Sequence, residues 1–108
     1  MVDFFRVEGR VEEAGSGRPI AGLVVRAFDK DLIFDDSLGV CTTDQLGRFL
    51  IRFTDDAFRD FAESRPDLYL RVYDSAGKSL LHQTPIQRDF SSDGFFQIVI
   101  PHDESGGE

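Results

Sequence analysis

At 108 residues, with 41% hydrophobic content, the chain has the size and composition of one soluble globular domain with a single core. Twenty Asp and Glu against twelve Lys and Arg give a net charge of −8, which argues against nucleic acid as a partner, because phosphate backbones are held by clustered Lys and Arg. The same charge admits an anionic membrane surface only through a bridging cation.

The N-terminal stretch FFRVEGRVEE alternates, with Phe5, Val7 and Val11 on one face and Arg6, Glu8, Arg10 and Glu12 on the other. That is the signature of a half-buried strand, and Gly9 within it marks a bulge or a close approach. AGSGRP reads as a turn. LVVRAF is a second strand, with Leu23, Val25 and Ala27 opposite Val24, Arg26 and Phe28. An acidic segment, DKDLIFDDSLG, leads into a third strand near SLGVCTT, which carries the single cysteine, Cys41. A lone cysteine makes no internal disulfide, so the domain is not a disulfide-stapled one, and here a buried inert thiol is expected.

DQLG then forms a tight turn into RFLIRFT, with Phe49, Ile51 and Phe53 inward. In TDDAFRDFAES the period changes. Ala57, Phe58, Phe61 and Ala62 share one helical face, Thr54 suits the N-cap, and Asp55 and Asp56 suit the first turn. DLYLRVYD is a fifth strand, with Leu68, Leu70 and Val72 inward and Tyr69, Arg71 and Tyr73 as an outward stripe. SAGK turns into SLLHQT; QRDFSSDG is a loop; FFQIVIP is the seventh strand. No apolar run reaches membrane-spanning length, and no basic-then-apolar leader opens the sequence. The expectation is an all-β protein: a seven-stranded antiparallel β-sandwich over residues 1–101 with one short helix between the fourth and fifth strands. A polar, disordered tail is expected over residues 102–108.

GRVEEAGSGRPIAGLVVRAFDKD followed by TTDQLGRFLIRF resembles the transthyretin-like, or prealbumin-like, sandwich and the related carboxypeptidase regulatory-like domains. Gly9 and Val11 open that pattern, Gly17, Pro19, Ala21 and Gly22 form its first turn, and Thr43, Asp44, Gly47 and Phe49 form its signature. DKDLIFDDSLGVCTTDQLGRF is most similar to the nematode transthyretin-like type. The resemblance covers residues 7–82 and implies a fold that serves carriers, enzymes and passive modules alike. Hydroxyisourate hydrolases of this group end in a YRGS-like tetrapeptide, whereas this chain ends in SGGE. Intradiol dioxygenases, on a related fold, hold iron with two Tyr and two His. Tyr69 and Tyr73 here share one exposed face, and the histidines are His82, in a strand, and His102, in the tail. The chain is therefore read as non-enzymatic.

In the acidic segment, Asp29, Asp31, Asp35 and Asp36 surround Leu32, Ile33 and Phe34. If strands alternate in direction, this connection shares an end of the sandwich with Asp55, Asp56, Asp89 and Asp93. Like charges so gathered repel unless neutralised, and calcium takes six to eight oxygens from such carboxylates, carbonyls and water. Asp29, Asp31, Asp35 and Asp36 are thus candidate Ca2+ ligands, with Leu32, Ile33 and Phe34 as candidate partner-binding anchors. Turn chemistry is the competing account: aspartates cap backbone amides, and the apolar trio folds back to plug the core. The function expected is a binding or assembly module with a protein partner. The alternatives are a small-molecule carrier or hydrolase acting as an oligomer, and a purely structural domain. A free edge strand offers a route to a homo-oligomer.

Overall fold

A computed structural model describes residues 3–58 and 65–101 of the chain. Seven strands run in the order β1 (Phe4–Glu13), β2 (Val24–Asp29), β3 (Asp36–Thr42), β4 (Arg48–Thr54), β5 (Leu68–Tyr73), β6 (Leu80–Gln83) and β7 (Asp93–Ile100). They form two sheets, β4-β1-β7 and β3-β2-β5-β6. The alternation of the sequence places each inner face: Phe5, Val7 and Val11 from β1, Val25 and Ala27 from β2, Phe49, Ile51 and Phe53 from β4, Leu68, Leu70 and Val72 from β5, and Ile98 and Ile100 from β7 are all buried. At about 25 cal/mol per Å2 of apolar surface, this shared layer is the main force holding the sheets together.

Two expectations need correction. The sandwich is not wholly antiparallel: β7 runs parallel to β1, with Arg6 opposite Asp93 and Glu13 opposite Ile100, so the three-stranded sheet is mixed. Period-2 patterning is the same for either direction and cannot tell them apart. The ten-residue helix is also absent from the described residues. In its place is a single 3-10 turn at Asp55–Ala57, before which Thr54 is extended and makes no side-chain cap. Phe58 leaves that turn for the core, where its ring packs edge-on against Phe5 at 5.4 Å. Phe61 and Ala62 lie outside the described residues, as does the polar stretch 102–108.

Gly9 marks a close approach rather than a bulge. A Cβ there would lie 2.2 Å from the Phe96 carbonyl oxygen and 2.6 Å from the Phe49 ring. Register shifts sit elsewhere: between Ala27 and Phe28 on β2 and between Val72 and Tyr73 on β5.

The connections divide between the two ends. Residues 30–35, 55–58, 65–67 and 84–92 lie at the end where β1 and β7 begin, and the 3-10 turn packs against β3 there. Residues 14–23, 43–47 and 74–79 close the other end.

Candidate functional site: an acidic end with an apolar tip

The β2–β3 connection is built by its own aspartates. Asp35 Oδ1 accepts the Asp31 N–H at 3.0 Å, which closes the loop across its base. Asp35 Oδ2 accepts the Tyr69 hydroxyl, and Lys30 Nζ lies 3.8 Å from Oδ1. Asp31 Oδ1 accepts the Leu32 N–H at 2.7 Å. These bonds hold the Asp35 carboxyl below the usual carboxylate range, first through the Asp31 N–H and then through Tyr69. Burial, and then the hydrogen bond to Asp35 and its charge, push the Tyr69 phenol up to about 12.

Tyr69 is the anchor that sequence reasoning missed. It lies on the outer face of the four-stranded sheet but is only 3% exposed. Its ring stacks on Phe28 at 5.3 Å, and the Arg71 guanidinium sits 5.4 Å and 5.6 Å from the two ring centres. The expected outward stripe of Tyr69, Arg71 and Tyr73 is therefore partly a docking platform for the protein's own loop. Alternation predicted which way Tyr69 faces, but the partner Asp35 lies 34 residues away.

Asp29, at the end of β2, is wholly buried and accepts the Asp67 N–H at 2.8 Å. Asp67 in turn receives the Asp89 N–H at 3.1 Å and the Arg88 guanidinium at 3.0 Å, while its carbonyl accepts the Lys30 N–H. Asp67 thus ties the β2–β3 connection to the segment before β7, another role absent from the sequence reading. Asp36 opens β3 opposite Asp29. Asp55 is buried in the 3-10 turn, Asp56 is exposed beside it, and Asp93 lies 3.7 Å from Arg6 at the start of β7. The acidic residues do share one end, as the order of connections suggested.

Between them the loop displays its apolar residues. Leu32 is 98% exposed, Ile33 82% and Phe34 81%, so the trio does not plug the core. A cleft of about 300 Å3 beside it is lined by Lys30, Asp31, Leu32, Asp67 and Arg88. Among the described residues, no three His, Cys, Asp or Glu side chains are grouped as a metal ion would need. His82 pairs with Val72, a residue of the inner face, so it lies on the opposite side of the sheet from Tyr69 and Tyr73. The second histidine, His102, lies outside the described residues.

No family model matches the sequence, and no relative is found among curated proteins. Solved structures do share the fold. A 9R-lipoxygenase from Cyanothece PCC8801 superposes with a TM-score of 0.66 at 22% identity, over 92% of this chain and 16% of that one. The dioxygenase domain of a dioxygenase–carbohydrate-binding fusion from Streptomyces sp. SirexAA-E gives 0.56 at 15%, over 92% and 80%. Chlorocatechol 1,2-dioxygenase from Pseudomonas putida gives 0.55 at 15%, over 94% and 61%. The chain spans about a sixth of the lipoxygenase and three fifths of the chlorocatechol dioxygenase. Identities this low show the fold alone.

These matches overturn the transthyretin-like assignment: the sandwich is of the kind found in lipoxygenase and intradiol dioxygenase structures. The residues that suggested otherwise do general work at a sandwich corner. Thr43 Oγ1 accepts the Leu23 N–H and donates to the Ile20 carbonyl, and Asp44 Oδ1 accepts the Leu46 and Arg48 N–H groups. Gly47 turns at φ 73° against the Val11 carbonyl. Any chain turning this corner gains from those residue types, so they report the corner and not the family.

Proposed function

We propose that the protein is a non-enzymatic binding or assembly module whose contact surface is the tip Leu32–Ile33–Phe34, which enters an apolar pocket of a partner protein rimmed by Lys and Arg. The observation that carries this reading is a run of three large apolar side chains left in solvent by a loop whose base is fastened through Asp35. A chain that leaves such side chains exposed forgoes about 1.5–3 kcal/mol of burial for each. Fastening the base lowers the ordering cost of binding, and the acidic flank selects a cationic rim. The lipoxygenase match supports an accessory role, because a sandwich of this fold there makes up 16% of a larger chain. The reading does not call on calcium: Asp29 Oδ1, Asp31 Oδ1 and both carboxylate oxygens of Asp35 already accept bonds at the loop and its base.

A photo-crosslinking phenylalanine analogue at position 34 tests the proposal in native cell extract. It should capture one discrete protein, with a yield that falls on raising salt and on changing Leu32 and Ile33 to Ser. The same analogue at position 46, exposed at the other end, should not. Equal capture at both positions, or none at position 34, overturns the assignment.

A further inference from the structure

Each sheet ends in two edge strands: β4 and β7 in one, β3 and β6 in the other. Edge strands carry unpaired backbone groups that template the pairing of another chain, and proteins blunt them with charges, bulges or short length. β3 is bulged against β2 and begins with Asp36. β6 has four residues and a shifted register. β4 points Arg48 and Arg52 outward on either side of Leu50, so self-pairing about Leu50 would set Arg against Arg. β7 carries none of these devices: it has eight residues, an unbroken register with β1 and no charge after Asp93.

The bonds at its two ends show which backbone groups face β1 and which face away from it. The Ser92 carbonyl accepts the Arg6 N–H, and the Ile100 carbonyl accepts the Ala14 N–H. In a parallel ladder alternate residues face the partner strand, so residues 94, 96, 98 and 100 face β1. The N–H and C=O groups of Phe95, Gln97 and Val99 therefore point away from β1, to an edge that is open among the described residues. The same three residues turn their side chains outward, Phe95 63% and Val99 43% exposed.

We propose that the β7 edge pairs antiparallel with β7 of a second copy about a two-fold axis at Gln97, giving a continuous six-stranded sheet. In that register Gln97 faces its own copy, and Phe95 faces Val99 across the axis in both directions. Aromatic and β-branched residues pair well across strands, and about six backbone hydrogen bonds close the seam. The contact uses the same patch on both subunits, so it closes as a dimer and does not extend. Charge favours this direction. β7 begins at the acidic end, so antiparallel pairing sets the two acidic ends, on chains of net charge −8, at opposite extremes of the dimer. Two copies of the Leu32–Phe34 tip then face outward at those extremes.

Sedimentation velocity across a concentration series of the full chain tests the pairing. The expected species has twice the 12.2 kDa of the chain, and hydrogen exchange at the Phe95, Gln97 and Val99 amides should slow as concentration rises. Gln97→Pro removes an N–H that serves only the seam and should give a monomer. The Phe95→Lys, Val99→Lys variant sets Lys against Lys and should also be monomeric, whereas Phe95→Lys, Val99→Glu sets Lys against Glu and should dimerise. This pair keeps the test sharp if the proline variant unfolds. A wild-type chain monomeric at several hundred micromolar, or a dimer that both lysine variants retain, overturns the proposal.

Discussion

Both ends of the sandwich are turned by aspartates, but the Thr43–Gly47 corner and the 31–35 loop treat their apolar side chains differently. At the far end, Thr43, Asp44 and Gly47 join three segments: the Val11 N–H reaches the Gly47 carbonyl, the Ile20 N–H reaches the Val11 carbonyl, and the Gly22 N–H reaches the Thr43 carbonyl. Most of the corner is drawn inward: Leu23 is buried and Ile20 packs on the core, and only Leu46 at the tip of its turn stays in solvent. At the near end, Asp35 secures only the base of the 31–35 loop, and Leu32, Ile33 and Phe34 stay in water. A turn bonded to several segments has most of its apolar side chains placed by the core. A turn bonded at its base alone is free to present them.

That contrast can be broken by mutation. Gly47→Ala should be the most damaging change, since it strains φ 73° and sets a Cβ 2.5 Å from the Val11 carbonyl oxygen; a loss of about 3 kcal/mol is expected in urea unfolding. Thr43→Val keeps the shape but strands the buried Leu23 N–H, at about 2 kcal/mol. If either is neutral, the far corner is not the rigid one.

Tyr69→Phe removes the hydroxyl that Asp35 accepts and should cost about 1.5 kcal/mol, with the loop freed at its base. The pH dependence follows from the same pair. Asp35 titrates below its ordinary 3.8, so its contribution is present above that value and is lost as pH falls through the lowered one. Tyr69 titrates above its ordinary 10.0, so its contribution holds below pH 10 and is lost as pH rises through about 12. Tyrosinate absorbance should therefore show a late-titrating phenol in the wild type that is lost in Tyr69→Phe.

The smallest effects belong to the tip. Changing Leu32, Ile33 and Phe34 together to Ser should shift stability by no more than about 0.5 kcal/mol. A loss of several kcal/mol would mean that the tip packs on the protein's own core. Thermal melts with millimolar calcium and with chelator should coincide, whereas a calcium-raised midpoint would restore the cation reading, because a ligand of the folded state must stabilise it.

Much of the candidate site was legible in the sequence. DKDLIFDDSLG announced an acidic loop with an apolar centre, and the order of the connections placed Asp55, Asp56, Asp89 and Asp93 at the same end. What the aspartates do there was not legible. Asp35 spends its oxygens on Asp31 and Tyr69, and Asp29 receives the Asp67 N–H from 38 residues away. Such partners are set by how two sheets are stacked, and local pattern carries no trace of them. Among the described residues, the helix expected after Thr54 is reduced to a 3-10 turn for a related reason. Phe58 is drawn among Phe5, Phe53 and other core residues, and burial of one aromatic ring outweighs the few tenths of a kcal/mol of intrinsic preference at each helical position.

By itself the sequence determined the strands and their inward faces, because an apolar–polar alternation has one stable solution on a pleated ribbon beside a core. It also determined that the molecule is acidic and that its acid gathers at one end. Only the tertiary structure decided that β7 lies parallel to β1, that Tyr69 anchors the loop, and that Leu32, Ile33 and Phe34 remain in solvent. Those outcomes depend on which distant strands meet, and burial of the whole core selects that among many local arrangements of nearly equal energy.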